Sequence, residues 1–196
     1  CKAHARLKKT RGLVKKCRKA NIFIRTGSEA SWRYGVEAYG LTNASLGNIR
    51  AATARAAMPS GRQNCPVTVV RLRLGEASDP LSVATFSSIE WYIQAWYNPQ
   101  ARRLIRQAWP AIRDGASKDG QPAWPKVLGP AGTLVANLTR IGWQCPQPEE
   151  WVQPGGTRWR ILDLDGYPGK TAFVEVLEAI SSSIATYLDQ EAATHR

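Results

Sequence analysis

The sequence predicts a mainly α-helical protein, a helical bundle of about seven helices with at most two short strands and one long loop rich in Gly and Pro. Apolar residues recur at three- and four-residue spacing through most of the chain, as on the buried face of a helix. The pairs Asp79-Pro80 and Asn98-Pro99 are typical helix starts. A hydrophobic content of 43% is that of a globular domain.

The first predicted helix covers residues 3–20 and is strongly basic. Its apolar stripe, formed by Leu7, Leu13, Val14 and Cys17, is thin, and Gly12 interrupts it at a cost of about 1 kcal/mol relative to Ala. Ten Lys and Arg residues precede the first acid, so no ion pair within this stretch relieves their repulsion. We expect contact with phosphate groups; a solvated arm or localisation signal, or a membrane surface, are the alternatives.

The helices that follow are less basic. A helix over residues 28–39 is expected to stop at Gly40, and Thr42 or Asn43 is expected to cap another that runs through Ala57. In the helix that runs through Ala57, Thr53 is expected at the margin of the buried face, and Arg50 and Arg55 are expected to project elsewhere. The core positions of this face are Leu46, Ile49, Ala52 and Ala56. Residues 67–74 favour a helix over a strand.

The second half of the chain predicts helices after Asp79 and Asn98, the latter kinked or ended early by Pro110. Residues 114–130 contain many Gly, Pro, Asp and Lys and predict the long loop. A short apolar helix over 132–141 and an amphipathic helix over 171–192 complete the set. Between them Trp143, Trp151 and Trp159 are spaced by eight; they could stack bases, but buried anchors of an irregular segment are favoured.

The positive charge is concentrated at one end. Residues 1–75 contain 16 Lys and Arg against two acids, whereas residues 76–196 contain 11 against 13. This asymmetry is typical of a protein that meets a polyanion with one face. No apolar run approaches the roughly 20 residues that span a bilayer, and nothing resembles a signal peptide. We therefore expect no membrane partner and a nuclear or cytoplasmic location.

No catalytic or metal site is predicted. The four cysteines are far apart, without the close pairs that zinc prefers. Asp163 and Asp165, with Glu175 and Glu178 further on, could hold Mg²⁺, but Asp is also common in turns, and the turn is favoured. The string Gly169-Lys170-Thr171 lacks the leading Gly of a phosphate-binding loop.

Several short strings resemble the segment just beyond the polymerase palm in reverse transcriptases of non-LTR (LINE-like) retrotransposons. There a basic helix leads to an apolar stretch, a Tyr-Gly-x-Glu string and a helix with a Leu-x-x-Ile/Leu-Arg pattern. The corresponding residues are 15–19, 22–24, Tyr34-Gly35-Val36-Glu37 with Gly40-Leu41, and Leu46-x-x-Ile49-Arg50. Trp109, Gly129-Pro130, residues 138–143 and Trp151 resemble the linker that follows.

The resemblance implies a parent RNA-directed DNA polymerase whose Mg²⁺ is held by palm aspartates in a Tyr/Phe-Ala-Asp-Asp string. This chain has no such string, and it begins with Cys1 rather than Met, so we expect a non-catalytic fragment that needs no cofactor. It would comprise a thumb-like segment (1–60), a helical connector (61–142) and a Trp/Pro-rich segment with the last helix (143–196). An independent helical protein-interaction module, with a basic localisation arm, is the alternative.

A thumb grips the primer–template duplex by its sugar-phosphate backbone, so the implied partners are an RNA/DNA hybrid or duplex, bound without sequence preference, and the remainder of the parent polyprotein. Tyr34, Gly35 and Glu37 are expected to be structural, packing and capping a helix junction. The predicted phosphate contacts are Arg6, Lys8, Lys9, Arg11, Lys15, Lys16, Arg18 and Lys19.

Overall fold

The structure is a computed structural model that describes residues 2–60, 64–160 and 170–194. Over these residues the chain is mainly α-helical, as predicted. The α-helices are α1 (Lys2–Lys16), α2 (Ala30–Arg33), α3 (Val36–Tyr39), α4 (Asn43–Ala57), α5 (Pro66–Leu74), α6 (Pro80–Tyr97), α7 (Pro99–Ala116), α8 (Gly129–Arg140) and α9 (Lys170–Ala193). The strands are β1 (Ser117–Lys118), β2 (Gln121–Pro122), β3 (Gln144–Gln147), β4 (Glu150–Val152) and β5 (Arg158–Arg160).

Contacts divide the described residues into two units. Unit 1 takes its residues from Cys1–Val36, Leu41–Ala84 and Tyr187–Arg196, and unit 2 from Glu37–Gly40 and Thr85–Thr186. The division into segments 1–60, 61–142 and 143–196 stays a prediction.

The prediction of at most two strands is wrong, because among the described residues of unit 2 five strands form two small antiparallel sheets. One is a hairpin, β1–β2, inside the predicted loop over residues 114–130. Its turn residues Asp119 and Gly120 both have positive φ, 51° and 72°, as a type I′ turn requires. The other sheet has the order β3-β4-β5, with Trp151 opposite Trp159. Strands of two to four residues are too short for an alternating pattern to show.

The helix ends follow the local signals that predicted them. The Thr42 hydroxyl accepts a hydrogen bond from the Ser45 amide at 3.1 Å, and Asn98 Oδ1 accepts from the amides of Gln100 and Ala101. Residues 67–74 lie in α5, so the preference for a helix over a strand is confirmed. The predicted early end at Pro110 is wrong: α7 continues to Ala116. Pro110 is exposed, so water can satisfy the carbonyl that its missing N–H leaves free.

The core of unit 1 is built from small side chains. The alanines of α4 let α1 and α5 approach it closely, and Leu7, Ile24, Val69 and Val70 pack against them. The buried alanines of α4 are Ala52 and Ala56, which were predicted to be buried, and also Ala54 and Ala57.

The core of unit 2 is aromatic. Tyr92 is fully buried, with its ring centroid 5.9 Å from that of Trp96, 6.0 Å from that of Trp109 and 6.1 Å from that of Trp151. The Tyr92 hydroxyl donates to the Pro148 carbonyl at 2.9 Å. Burial raises the pKa of the Tyr92 hydroxyl well above its usual range, so this group stays a neutral donor.

Candidate nucleic-acid interface

Helix α1 has one buried face and one basic face. Ala3, Leu7, Thr10 and Val14 recur every three or four residues and are buried where α1 packs on α4 and on the π-helix Ile24–Glu29. Two expected members of the apolar stripe, Leu13 and Cys17, are exposed instead. Leu13 falls away from the line through the buried four, and Cys17 lies after α1 has ended.

Six cationic side chains form what we call the basic surface. Its members, from α1 and the 3₁₀ helix Arg18–Asn21, are Lys8, Lys9, Lys15, Lys16, Arg18 and Lys19. All six are exposed, and no acidic oxygen of the described residues lies within 4.0 Å of their charged nitrogens. Lys8 and Lys15, like Lys9 and Lys16, are seven residues apart, which places their backbones about 10.5 Å apart along the helix axis. Six positive charges are thus free to meet a line of phosphates.

The other two predicted phosphate contacts hold unit 1 together. Arg6 Nη1 donates to the Gly27 carbonyl at 3.0 Å and to the Ser31 hydroxyl. Arg11 Nη2 donates to the Pro59 carbonyl at 3.2 Å. Each guanidinium carries five N–H donors, so a phosphate contact remains available to both, but neither depends on a ligand for its position.

The π-helix is the least regular part of this region. A π-helical turn is wider than an α-helical one, and such turns are frequent at functional sites. Within this π-helix Arg25 is exposed and Ser28 is buried. Ile22 and Phe23, which lie just before it, are exposed. Arg25 adds a seventh exposed cation near the basic surface in sequence. Its charge was counted in the first 75 residues, but no pattern singled it out as a contact.

The Tyr34-Gly35-Val36-Glu37 string spans the turn between α2 and α3 and the first two residues of α3. Gly35 has φ of 83°, a left-handed conformation that separates the two short helices, so the single helix expected over residues 28–39 is broken here. Glu37 lies in the first turn of α3. Tyr34 is 94% exposed and does not pack at the junction as expected. The structure thus gives Gly35 a clear local role in the turn and Tyr34 none in packing.

Arg50 was expected to project away from the core, and this is wrong. It is buried in unit 1, where Nε and Nη2 each donate to an oxygen of Asp79 at 2.8 Å and Nη1 donates to Glu191 at 2.6 Å. Asp79 Oδ1 also accepts from the Leu81 amide at 2.9 Å, which caps α6. Burial acts to lower the pKa of Arg50, but the hydrogen bonds and charges of Asp79 and Glu191 outweigh it and raise the pKa. Arg50 is therefore a permanent internal cation.

The tryptophans are mostly internal. Trp143 and Trp151 are buried, which confirms their predicted role as anchors, and Trp159 is half-buried. The segment that contains them was predicted to be irregular, and this is wrong, because it forms the β3-β4-β5 sheet. Trp143 Nε1 donates to the Ser183 hydroxyl at 2.9 Å, and Trp109 Nε1 donates to the Cys145 carbonyl at 3.2 Å. Burial of these rings leaves Trp143 and Trp151 unable to stack bases.

Within the described ranges, no three His, Cys, Asp or Glu side chains are grouped so as to hold a metal ion. Asp163 and Asp165, with the turn predicted around them, lie outside the described residues. None of the described helices is both long enough and apolar enough to cross a membrane. The chain matches no known protein family, no curated protein and no solved structure.

Proposed function

We propose that unit 1 binds nucleic acid by its sugar-phosphate backbone, without sequence preference, through the basic surface. The observation that carries this proposal is the set of six exposed cations on two consecutive helical segments, without acidic partners among the described residues. Lys and Arg that neutralise phosphates release condensed counterions, which makes such binding strong at low salt. No base-reading group is needed for this mode of binding.

The resemblance to the post-palm segment of non-LTR reverse transcriptases supports a more specific proposal. According to this proposal, the chain is the thumb and connector of a retrotransposon RNA-directed DNA polymerase. The basic surface then grips the primer–template, which is a duplex or an RNA/DNA hybrid. The polymerising chemistry and its Mg²⁺ would belong to the palm of the parent protein, and the rest of that polyprotein would be the second partner.

Filter binding of a blunt duplex over a series of salt concentrations tests the proposal. Each neutralised phosphate contributes about −0.9 to the slope of log K against log salt, so six contacts predict a slope of about −5. The variant Lys15→Ala/Lys16→Ala/Arg18→Ala/Lys19→Ala is expected to lose about 3.6 of that slope, at about 0.9 for each cation removed.

The matched control removes the same charge from exposed positions of unit 2. Its substitutions are Lys118→Ala, Lys126→Ala, Arg158→Ala and Arg160→Ala. Because both variants lose four charges, a difference between them reports the location of binding rather than net charge. Affinity that does not change with salt, or equal slopes for the two variants, would contradict the proposal.

The alternative function, a helical protein-interaction module, is favoured by exposed apolar side chains in unit 2. Trp91 on α6 and Leu104 on α7 are both exposed. The buried Trp143 and Trp151 cannot contribute to such a surface. Light scattering of the purified chain with and without nuclease treatment separates the two functions: a complex that survives nuclease favours the module, and one that disappears favours nucleic-acid binding.

A further inference from the structure

A cavity in unit 1 adjoins the basic surface and is not needed for binding a sugar-phosphate backbone there. Its volume is about 710 Å³, within the range of about 300–1,000 Å³ typical of small-molecule sites. Its wall includes Arg18, Met58, Val69, Leu72 and Arg73. Arg18 belongs both to this wall and to the basic surface, so the cavity opens where a bound polyanion would pass.

The wall combines cations with an apolar side. Neither Arg18 nor Arg73 has an acidic oxygen of the described residues within 4.0 Å. Met58, Val69 and Leu72 supply the apolar side, and Leu72 is 78% exposed despite its size. The ligand class that matches such a wall has an anionic group joined to an apolar body of moderate size.

We propose that this cavity takes one unpaired nucleotide of the nucleic acid bound at the basic surface. Its phosphate would meet Arg18 and Arg73, and its base would pack against Leu72 and Met58. This inference rests on the proposed function, because Arg18 connects the cavity to the same polyanion. A paired base is stacked within its duplex and is not free to enter, whereas an unpaired one can be splayed out and packed on side chains. The expected substrate is therefore a duplex with a single-stranded extension.

The experiment compares a blunt duplex with the same duplex carrying a short single-stranded extension, both titrated with the full chain. The wild type is expected to prefer the extended duplex by about fivefold, the lower end of measured base packing because the wall is aliphatic. Leu72→Ala is expected to abolish that preference and leave the affinity for the blunt duplex within about twofold, since an exposed side chain adds little to folding. Arg73→Ala should lower the salt slope by about 0.7, the contribution of one single-strand phosphate, but only for the extended duplex.

Leu128→Ala is the matched control, since Leu128 is also a 78% exposed leucine and lies in unit 2. Leu128→Ala should keep the preference for the extended duplex. Unchanged thermal unfolding of Leu72→Ala shows that this variant is folded. The cavity proposal is overturned if the wild type shows no preference for the extended duplex, or if Leu72→Ala keeps that preference. In either case, steep salt dependence of binding to the blunt duplex leaves the proposed function standing. A fluorescent fatty acid that binds and is lost in Leu72→Ala, without preference between the duplexes, assigns the cavity to another apolar anion. Salt-independent binding of both duplexes overturns both proposals.

Discussion

Replacing Arg50 by Ala removes the cation that holds together three helical segments of unit 1. Arg50 donates two hydrogen bonds of 2.8 Å to Asp79, which is fully buried, and one of 2.6 Å to Glu191, whose side chain is 29% exposed. Removing one partner of a buried ion pair costs about 3–5 kcal/mol, because the remaining charge has neither partner nor water. Most of that cost belongs to Asp79, which keeps only the Leu81 amide, since Glu191 can be partly hydrated.

Urea unfolding followed by far-UV circular dichroism measures this loss. At a slope of about 1–3 kcal/mol per molar urea, Arg50→Ala is expected to lower the midpoint by about 1 M or more. Arg55→Ala is the matched control, because Arg55 is an exposed arginine on the same helix, and its effect should stay within about 0.5 kcal/mol. If the stability of Arg50→Ala lies within about 1 kcal/mol of that of Arg55→Ala, the buried network does not stabilise unit 1 as a buried ion pair should.

Two further predictions concern Glu29 and Gly40. Burial raises the pKa of Glu29 above its usual 4.5, although Arg33 and Arg25 act to lower it, so folding favours the protonated form. Relative to Glu29→Gln, the wild type should therefore lose stability as pH rises above 4.5, and a difference that grows in the opposite direction would refute the assignment. Gly40 has φ of 64°, and a Cβ there would lie 2.3 Å from the Trp124 ring. Gly40→Ala should therefore cost about 2–3 kcal/mol in thermal unfolding, against about 1 kcal/mol for Gly120→Ala, where φ is also positive but no atom lies within 4 Å; equal costs would contradict the steric argument.

Helix starts and the basic character of the first helix could be predicted because their signals are local. Thr42, Asp79 and Asn98 cap helices through hydrogen bonds to amides two or three residues away, which sequence shows directly. The hairpin at Asp119-Gly120 also had a local signal, an Asp-Gly pair, but its strands of two residues concealed it. Helix α7 was predicted to be kinked or ended early by Pro110, but it continues to Ala116; that Pro110 is exposed, where water can reach the affected carbonyl, is a property of the fold and not of the local sequence.

The candidate nucleic-acid interface was likewise predicted only in part from the sequence. Composition and order along the chain were enough to establish a mainly helical protein with its positive charge concentrated near one end, since charge and periodicity are properties of residues and their near neighbours. Which of those charges are free depends on partners far along the chain: Arg6 meets Gly27, Arg11 meets Pro59, and Arg50 meets Asp79 and Glu191. Arg18 and Arg73 come to one cavity wall although 55 residues separate them. Such pairings arise from packing between helices, and the free energy that selects them comes from burial of the whole core rather than from any local pattern.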